Sequence, residues 1–122
     1  MERQTPQRDA IRSLFTPDGD PLSPQELLEQ ASRDVPKLSI ATVYRTIRSL
    51  EELGEIVPVE LPGEPARYEL AGKDHHHHFV CESCGRVFDV DACPGNLANM
   101  TPDGFKLTRH DITLYGLCGQ CA

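Results

Sequence analysis

The chain has no tryptophan, and aromatic residues make up only 6% of its 122 positions. With a hydrophobic fraction of 39% it can bury a modest core, which suits one compact domain or two small lobes. No apolar run approaches the roughly 18 residues of a spanning helix, so no helical membrane span is expected. Basic residues are also scarce, 12 Lys and Arg against 19 Asp and Glu, for a net charge of -7. That deficit argues against a broad nucleic-acid-binding surface, because non-specific duplex affinity comes from cations neutralising phosphates. Residues 1–62 repeat it, with seven basic and eleven acidic positions, so any DNA contact must come from placement and not from bulk charge. The opening MERQTPQRDA has neither an apolar signal core nor an Arg-rich amphipathic leader, and a cytoplasmic location is the expectation.

What the chain does have is cysteine in pairs. Cys81/Cys84 and Cys118/Cys121 form two C-x-x-C knuckles, and His75 to His78 run directly into the first. Each knuckle puts two thiolates on one tight turn, and two turns together close the tetrahedral sulfur shell that structural Zn²⁺ prefers. Disulfides are disfavoured in the cytosol, so the knuckles read as a metal site, a fitting staple for a small lobe. The fifth cysteine, Cys93, is expected to be a small apolar core residue, the alternative being a redox-sensitive thiol near a metal.

The N-terminal half reads as three helices. Thr5-Pro6 opens the first, which carries Ile11, Leu14 and Phe15 and stops at Pro17-Asp18-Gly19. Ser23-Pro24-Gln25-Glu26 has the form of a capping box before Leu27, Leu28 and Ala31. Ser39 caps a third, whose apolar stripe runs Ile40, Val43, Ile47, Leu50 and Leu53 to Gly54. Its other face presents Thr42, Tyr44, Arg45, Thr46, Arg48 and Ser49, donors suited to base edges and phosphates. Residues 56–61, a turn at Pro62-Gly63-Glu64-Pro65 and residues 67–70 then read as a β-hairpin. The ordered set makes a winged helix. A helical core with a merely solvated polar face is the plainer alternative.

The C-terminal half reads as strand-rich: residues 77–81, 86–90 and a long segment from Phe105 to Leu117, with a short helix near Asn96 to Met100. Side chains alternate faces on a strand, so His76 and His78 point one way and His75 and His77 the other, and one run can feed two sites. Glu69 and Asp89 are carboxylates on neighbouring segments, and mixed nitrogen and oxygen shells suit Fe²⁺, Mn²⁺ or Zn²⁺. Ordinary surface carboxylates and a solvated histidine turn are the bland readings of the same residues.

Five ordered motifs carry a resemblance over nearly the whole chain: Thr5-Pro6-Gln7-Arg8, the run from Ser39 to Thr46, Arg67-Tyr68-Glu69, the block from His75 to Cys84, and His110 followed by Leu114 to Cys118. Together they resemble the ferric uptake regulator (Fur) family of metal-dependent repressors, with its zinc-sensing (Zur) and peroxide-sensing (PerR) branches. The resemblance implies an α+β protein: a winged-helix DNA-binding domain over residues 1–70 and a small α/β dimerisation domain over residues 71–122 with a four-cysteine zinc site. It implies a homodimer on near-palindromic double-stranded operator DNA, probed by Arg3 toward the minor groove and by Tyr44 and Arg45 on the recognition helix, to which the polar face read above adds Thr42 and Arg48 as DNA-binding residues. It assigns structural Zn²⁺ to Cys81, Cys84, Cys118 and Cys121, a regulatory divalent metal to Glu69, His76, His78 and Asp89, and a further site to His75, His77 and His110.

Two departures from the family pattern bear on the metal. The chain reads Asp20-Pro21 where iron sensors often carry a histidine, and Asn96 where the further site often has a glutamate. Zinc sensors tend to use a hinge cysteine, absent around Ala71, so Fe²⁺ stands first, ahead of Mn²⁺ or Zn²⁺. A zinc-ribbon-like interaction or metal-delivery module is the rival from another class. An enzyme with a small organic substrate is not expected, since H-E-x-x-H, G-x-S-x-G and deaminase-type motifs are missing.

Overall fold

In the computed structural model, described over residues 5–95 and 97–122, the chain divides into two compact units, one ending at Lys73 and one beginning at Asp74. Arg3 and Asn96 lie outside the described residues. The elements mix helix and sheet in the order three helices, hairpin, three-stranded sheet.

In the first unit, α1 spans Pro6–Arg12, α2 Pro24–Ala31 and α3 Ile40–Glu52. Each starts where a hydroxyl takes up an unsatisfied backbone N–H: Thr5 accepts from Arg8, Ser23 from Glu26 and Ser39 from Thr42. At α2 the reciprocal bond is present too, with the Glu26 carboxylate accepting from the Ser23 N–H at 2.9 Å. α3 is capped by Leu53, and Gly54 takes φ 75°, the left-handed conformation that lets the chain leave the helix. Ile11, Leu27, Ala31, Val43, Ile47, Leu50 and Ile56 form one buried cluster among the three helices and the strand after them.

Three sequence expectations change here. α1 stops at Arg12, so Leu14 and Phe15 pack against the core from the turn that follows. Leu53 is 57% exposed and leaves the apolar stripe, because it is the helix's C-cap. Thr46, expected on the polar face, is only 6% exposed, since it lies one turn from Val43 and Leu50 and rotates with them toward the core.

The hairpin pairs β1, Ile56–Val59, with β2, Arg67–Leu70, antiparallel, and Leu22 bridges to Tyr68 on the other side of β2. Arg67 is buried and reaches the Glu26 carboxylate and the Pro21 carbonyl, tying the N-terminus of α2 to the hairpin. Lys73 closes the unit by donating to the Gly19 carbonyl at 2.6 Å.

In the second unit, β3, His77–Cys81, is central: it pairs antiparallel with β4, Val87–Val90, and parallel with β5, Thr113–Gly116. The long strand expected from Phe105 to Leu117 is therefore cut to its last part. Its partner β3 is short, pairing starts at His78 with Thr113, and Phe105 and Leu107 are left 71% and 46% exposed. The first sheet strand after the knuckle begins at Val87 and not Arg86, and the expected short helix is a single 3-10 turn over Ala98–Met100.

Candidate metal centres

Among the described residues, the second unit contributes side chains to three clusters of potential metal ligands. In each, the histidine run or the knuckles contribute from β3 and its ends.

Cys81 closes β3, Cys84 lies in the turn into β4, and Cys118 and Cys121 follow β5. Parallel pairing of β3 with β5 aligns Cys81 with Gly116, which delivers the second knuckle beside the first. All four sulfurs lie within 4.8 Å of one another. Two backbone N–H groups, of Cys84 and Cys118, each approach the Cys81 sulfur to 3.4 Å. These donors hold the Cys81 thiol down to about 6, and the N–H of Gln120 foremost lowers Cys118. Cys121 goes the other way: the Ser83 contact lowers it, but the neighbouring sulfurs of Cys118 and Cys81 outweigh this and push it up to about 11. Part of the cluster is thus prepared as thiolate and part still holds protons that a dication would displace.

The second cluster joins His76, His78 and Asp89. His78 and Asp89 are cross-strand partners on β3 and β4, and both imidazole Nε2 atoms point at the same carboxylate oxygen, at 3.6 Å from His76 and 3.5 Å from His78. His76 Nδ1 lies 2.8 Å from the Asp74 carbonyl, so it carries the ring proton and leaves Nε2 as a lone-pair donor. His78 Nε2 and Asp89 Oδ1 are buried and not hydrogen-bonded to each other, a spacing that suits two ligands of one ion better than a direct bond. The expected fourth member, Glu69, lies on β2 of the first unit, buried, with the Lys73 ammonium 3.5 Å from its carboxylate.

The third cluster contains a residue that sequence reasoning placed elsewhere. Cys93 is exposed and not part of the core: its sulfur stands 3.4 Å from His77 Nε2 and 3.2 Å from His110 Nε2, and the Gly95 N–H points at it from 3.4 Å. The expectation failed because Cys93 falls beyond the end of β4, in the exposed stretch that leads into Pro94-Gly95. His75 Nε2 is 3.2 Å from His110 Nε2, and the rings of His75 and His77 meet edge to face. Burial, followed by the charges of His75 and His110, keeps His77 below the usual histidine range and so neutral.

Away from these clusters, Tyr44 is 50% exposed, Arg45 reaches Thr42 Oγ1 at 3.1 Å, and Arg48 is exposed on the same helix. Arg8, quoted only as part of a motif in the sequence, donates to Ser49 and borders an open depression with Thr42 and Arg45. Its signal was available: an arginine in the first turn of a capped helix, between Arg3 and Arg12 in a half of the chain that is otherwise acid-rich.

A family model described as the ferric uptake regulator family matches residues 2–115. The chain belongs to that family. It is 34% identical to the ferric uptake regulation protein of Campylobacter jejuni over 98% of this chain and 79% of that protein. It is 32% identical to the peroxide-responsive repressor PerR of Staphylococcus aureus over 98% of this chain and 82% of that one. Among solved structures, a zinc-bound manganese uptake regulator superposes with a TM-score of 0.80 at 31% identity, covering 96% of this chain and 91% of that one.

Proposed function

We propose that this chain is a metal-responsive transcriptional repressor, acting as a homodimer in the cytoplasm on near-palindromic operator DNA and catalysing no reaction. The first unit serves as a winged helix, with α3 in the major groove and the β1–β2 hairpin as the wing. Tyr44, Arg45, Thr42 and Arg48 contact the duplex there, with Arg8 beside them and Arg3 from the preceding segment. The second unit serves as the dimerisation domain, held by Zn²⁺ on Cys81, Cys84, Cys118 and Cys121.

The observation that carries the regulatory reading is the convergence of His76, His78 and Asp89 on one point, with His76 Nδ1–H donating to the Asp74 carbonyl and its Nε2 turned toward Asp89. Glu69 completes the set in this proposal. It lies seven residues before His76 in the chain, and its carboxylate supplies a second negative charge. A bound divalent ion supplies a crosslink between these four side chains. Glu69 belongs to the hairpin and the other three to the second unit, so their joint engagement restrains the DNA-reading helix relative to the dimer. Two recognition helices match two half-sites only at one separation, and a restraint that favours it raises operator affinity. By linkage, DNA must tighten metal by the same factor, typically ~1–3 kcal/mol. Fe²⁺ is the first candidate, with Mn²⁺ or Zn²⁺ behind it, and the 32% identity to a peroxide-responsive repressor makes iron-dependent peroxide sensing the second reading.

The test is a duplex selected from a random pool by the metal-loaded protein, followed by binding to it across titrations of Fe²⁺ under anaerobic conditions, Mn²⁺ and Zn²⁺. Affinity rising with one metal while thiol-bound zinc stays constant supports the switch. Tight binding indifferent to metal overturns the switch, and failure to enrich any sequence favours the interaction-module reading. Loss of binding on adding peroxide to the Fe²⁺ form alone selects the second reading.

A further inference from the structure

The geometry points to Cys93 as the thiolate ligand of a four-coordinate zinc site whose other three ligands are His75, His77 and His110. This deepens the reading of those three histidines as a metal site and rests on it, but not on any DNA-binding role.

A tetrahedral ion with nitrogen arms of about 2.0–2.1 Å and a sulfur arm of about 2.3 Å holds its ligand atoms roughly 3.3–3.6 Å apart. The observed edges fall close to these values: 3.2 Å between His75 and His110, 3.2 Å between Cys93 and His110, and 3.4 Å between Cys93 and His77. All four ligand atoms lie within 4.8 Å of one another. A ring nitrogen offers a single proton or lone pair, yet His110 Nε2 lies 3.2 Å from both His75 Nε2 and Cys93 Sγ, a sharing that one common ion accounts for. The Gly95 N–H directed at the sulfur supplies a donor of the kind that supports thiolate in the knuckles.

The donor set selects the ion. Replacing an oxygen ligand by a thiolate moves a histidine-rich site toward Zn²⁺ and away from Mn²⁺ and Mg²⁺, which prefer hard oxygen donors. One ligand requires a local adjustment. The Ile112 N–H lies 3.1 Å from His77 Nδ1, which places the proton of the neutral ring on Nε2. Coordination through that nitrogen therefore exchanges the Ile112 contact for the metal, whereas His75, Cys93 and His110 are positioned without it.

The site's place in the fold indicates what it does. β3 and β5 run parallel; the cysteine knuckles gather where these strands end, while His77 and His110 sit where they begin or just before. The segment from Cys93 to His110 contains no strand among the described residues, and its large apolar side chains Phe105 and Leu107 are exposed. Zinc at its two ends pins this segment to the leading edge of the sheet, as the knuckles pin the trailing edge.

The experiment adds Co²⁺ to full-length protein in which zinc on the four knuckle cysteines is verified by metal analysis before and after titration. Wild-type protein should show a tetrahedral cobalt spectrum with a thiolate-to-cobalt charge-transfer band. Cys93→Ser should lose that band and bind at least about tenfold more weakly, since even outer-sphere losses cost that much. Cys93→Asp should recover affinity without the band, and retained knuckle zinc with an unchanged far-ultraviolet spectrum shows that each variant is folded. A wild-type spectrum without the band, or one that Cys93→Ser leaves unchanged with zinc retained, overturns the proposal. The operator-binding titration proceeds independently on the same protein, so failure there leaves this result intact.

Discussion

His78 on β3 and Asp89 on β4 stand directly opposite each other, and the imidazole Nε2 and the carboxylate Oδ1 are buried 3.5 Å apart. Asp89→Asn keeps the shape of the side chain and removes its charge. We expect metal at this site to weaken by roughly 10–100-fold, the scale set by losses even in the outer sphere of metal sites. A competition titration against a chelating dye measures it, and unaltered affinity would mean that the carboxylate is not a ligand.

Lys73 places its ammonium 3.5 Å from the Glu69 carboxylate, where it competes with any dication for the same charge. Lys73→Met should tighten the regulatory metal by at least about fivefold, because both side chains are more than nine-tenths buried and solvent screens the competing ammonium little. The same dye titration checks the direction; weaker binding would show that Lys73 helps to position Glu69.

Removal of zinc from the knuckles should unravel one unit before the other. Cys81 and Cys118 are buried at the ends of β3 and β5, whereas the helical core of the first unit contains no cysteine. After treatment with a strong chelator, hydrogen exchange should rise across residues 77–81 and 113–116 while amides of α3 remain protected. Equal loss of protection in both units would contradict this.

Arg45→Ala and Tyr44→Ala remove side chains that are exposed on α3. Each should weaken binding to the selected duplex by about 1–3 kcal/mol and leave metal content and thermal stability unchanged. Unaltered DNA affinity in the double variant would place the DNA surface elsewhere.

Arg67 is the buried cation that joins the hairpin to the Glu26 end of α2. Arg67→Ala leaves that carboxylate mostly buried with only the Ser23 N–H to satisfy it, so a loss of about 3 kcal/mol is expected in urea unfolding. Ser23→Ala, which removes the helix cap, should cost about 1 kcal/mol.

Much of the first unit was legible because its signals are local. Ser23-Pro24-Gln25-Glu26 contains both halves of the capping box that forms, and Gly54 marks the stop of α3 with the residue type that tolerates a left-handed φ. The errors came where a residue's surroundings are supplied by distant chain. Thr46 reads as polar but rotates into the core with Val43 and Leu50, and the apolar pattern at Phe105 and Leu107 reads as strand although no partner strand extends far enough to pair with it.

The sequence by itself determined which ligand atoms are available and how those close along the chain are grouped: two thiols per knuckle, and histidines sorted alternately by the pleat of a strand. Tertiary structure decided which distant groups meet. Cys93 and His110 are 17 residues apart, joined by no shared element, and come within 3.2 Å only because β4 and β5 flank the same central strand. A strand's alternation is a property of its own backbone, while a metal shell needs donors from several segments, and sheet order sets their distances.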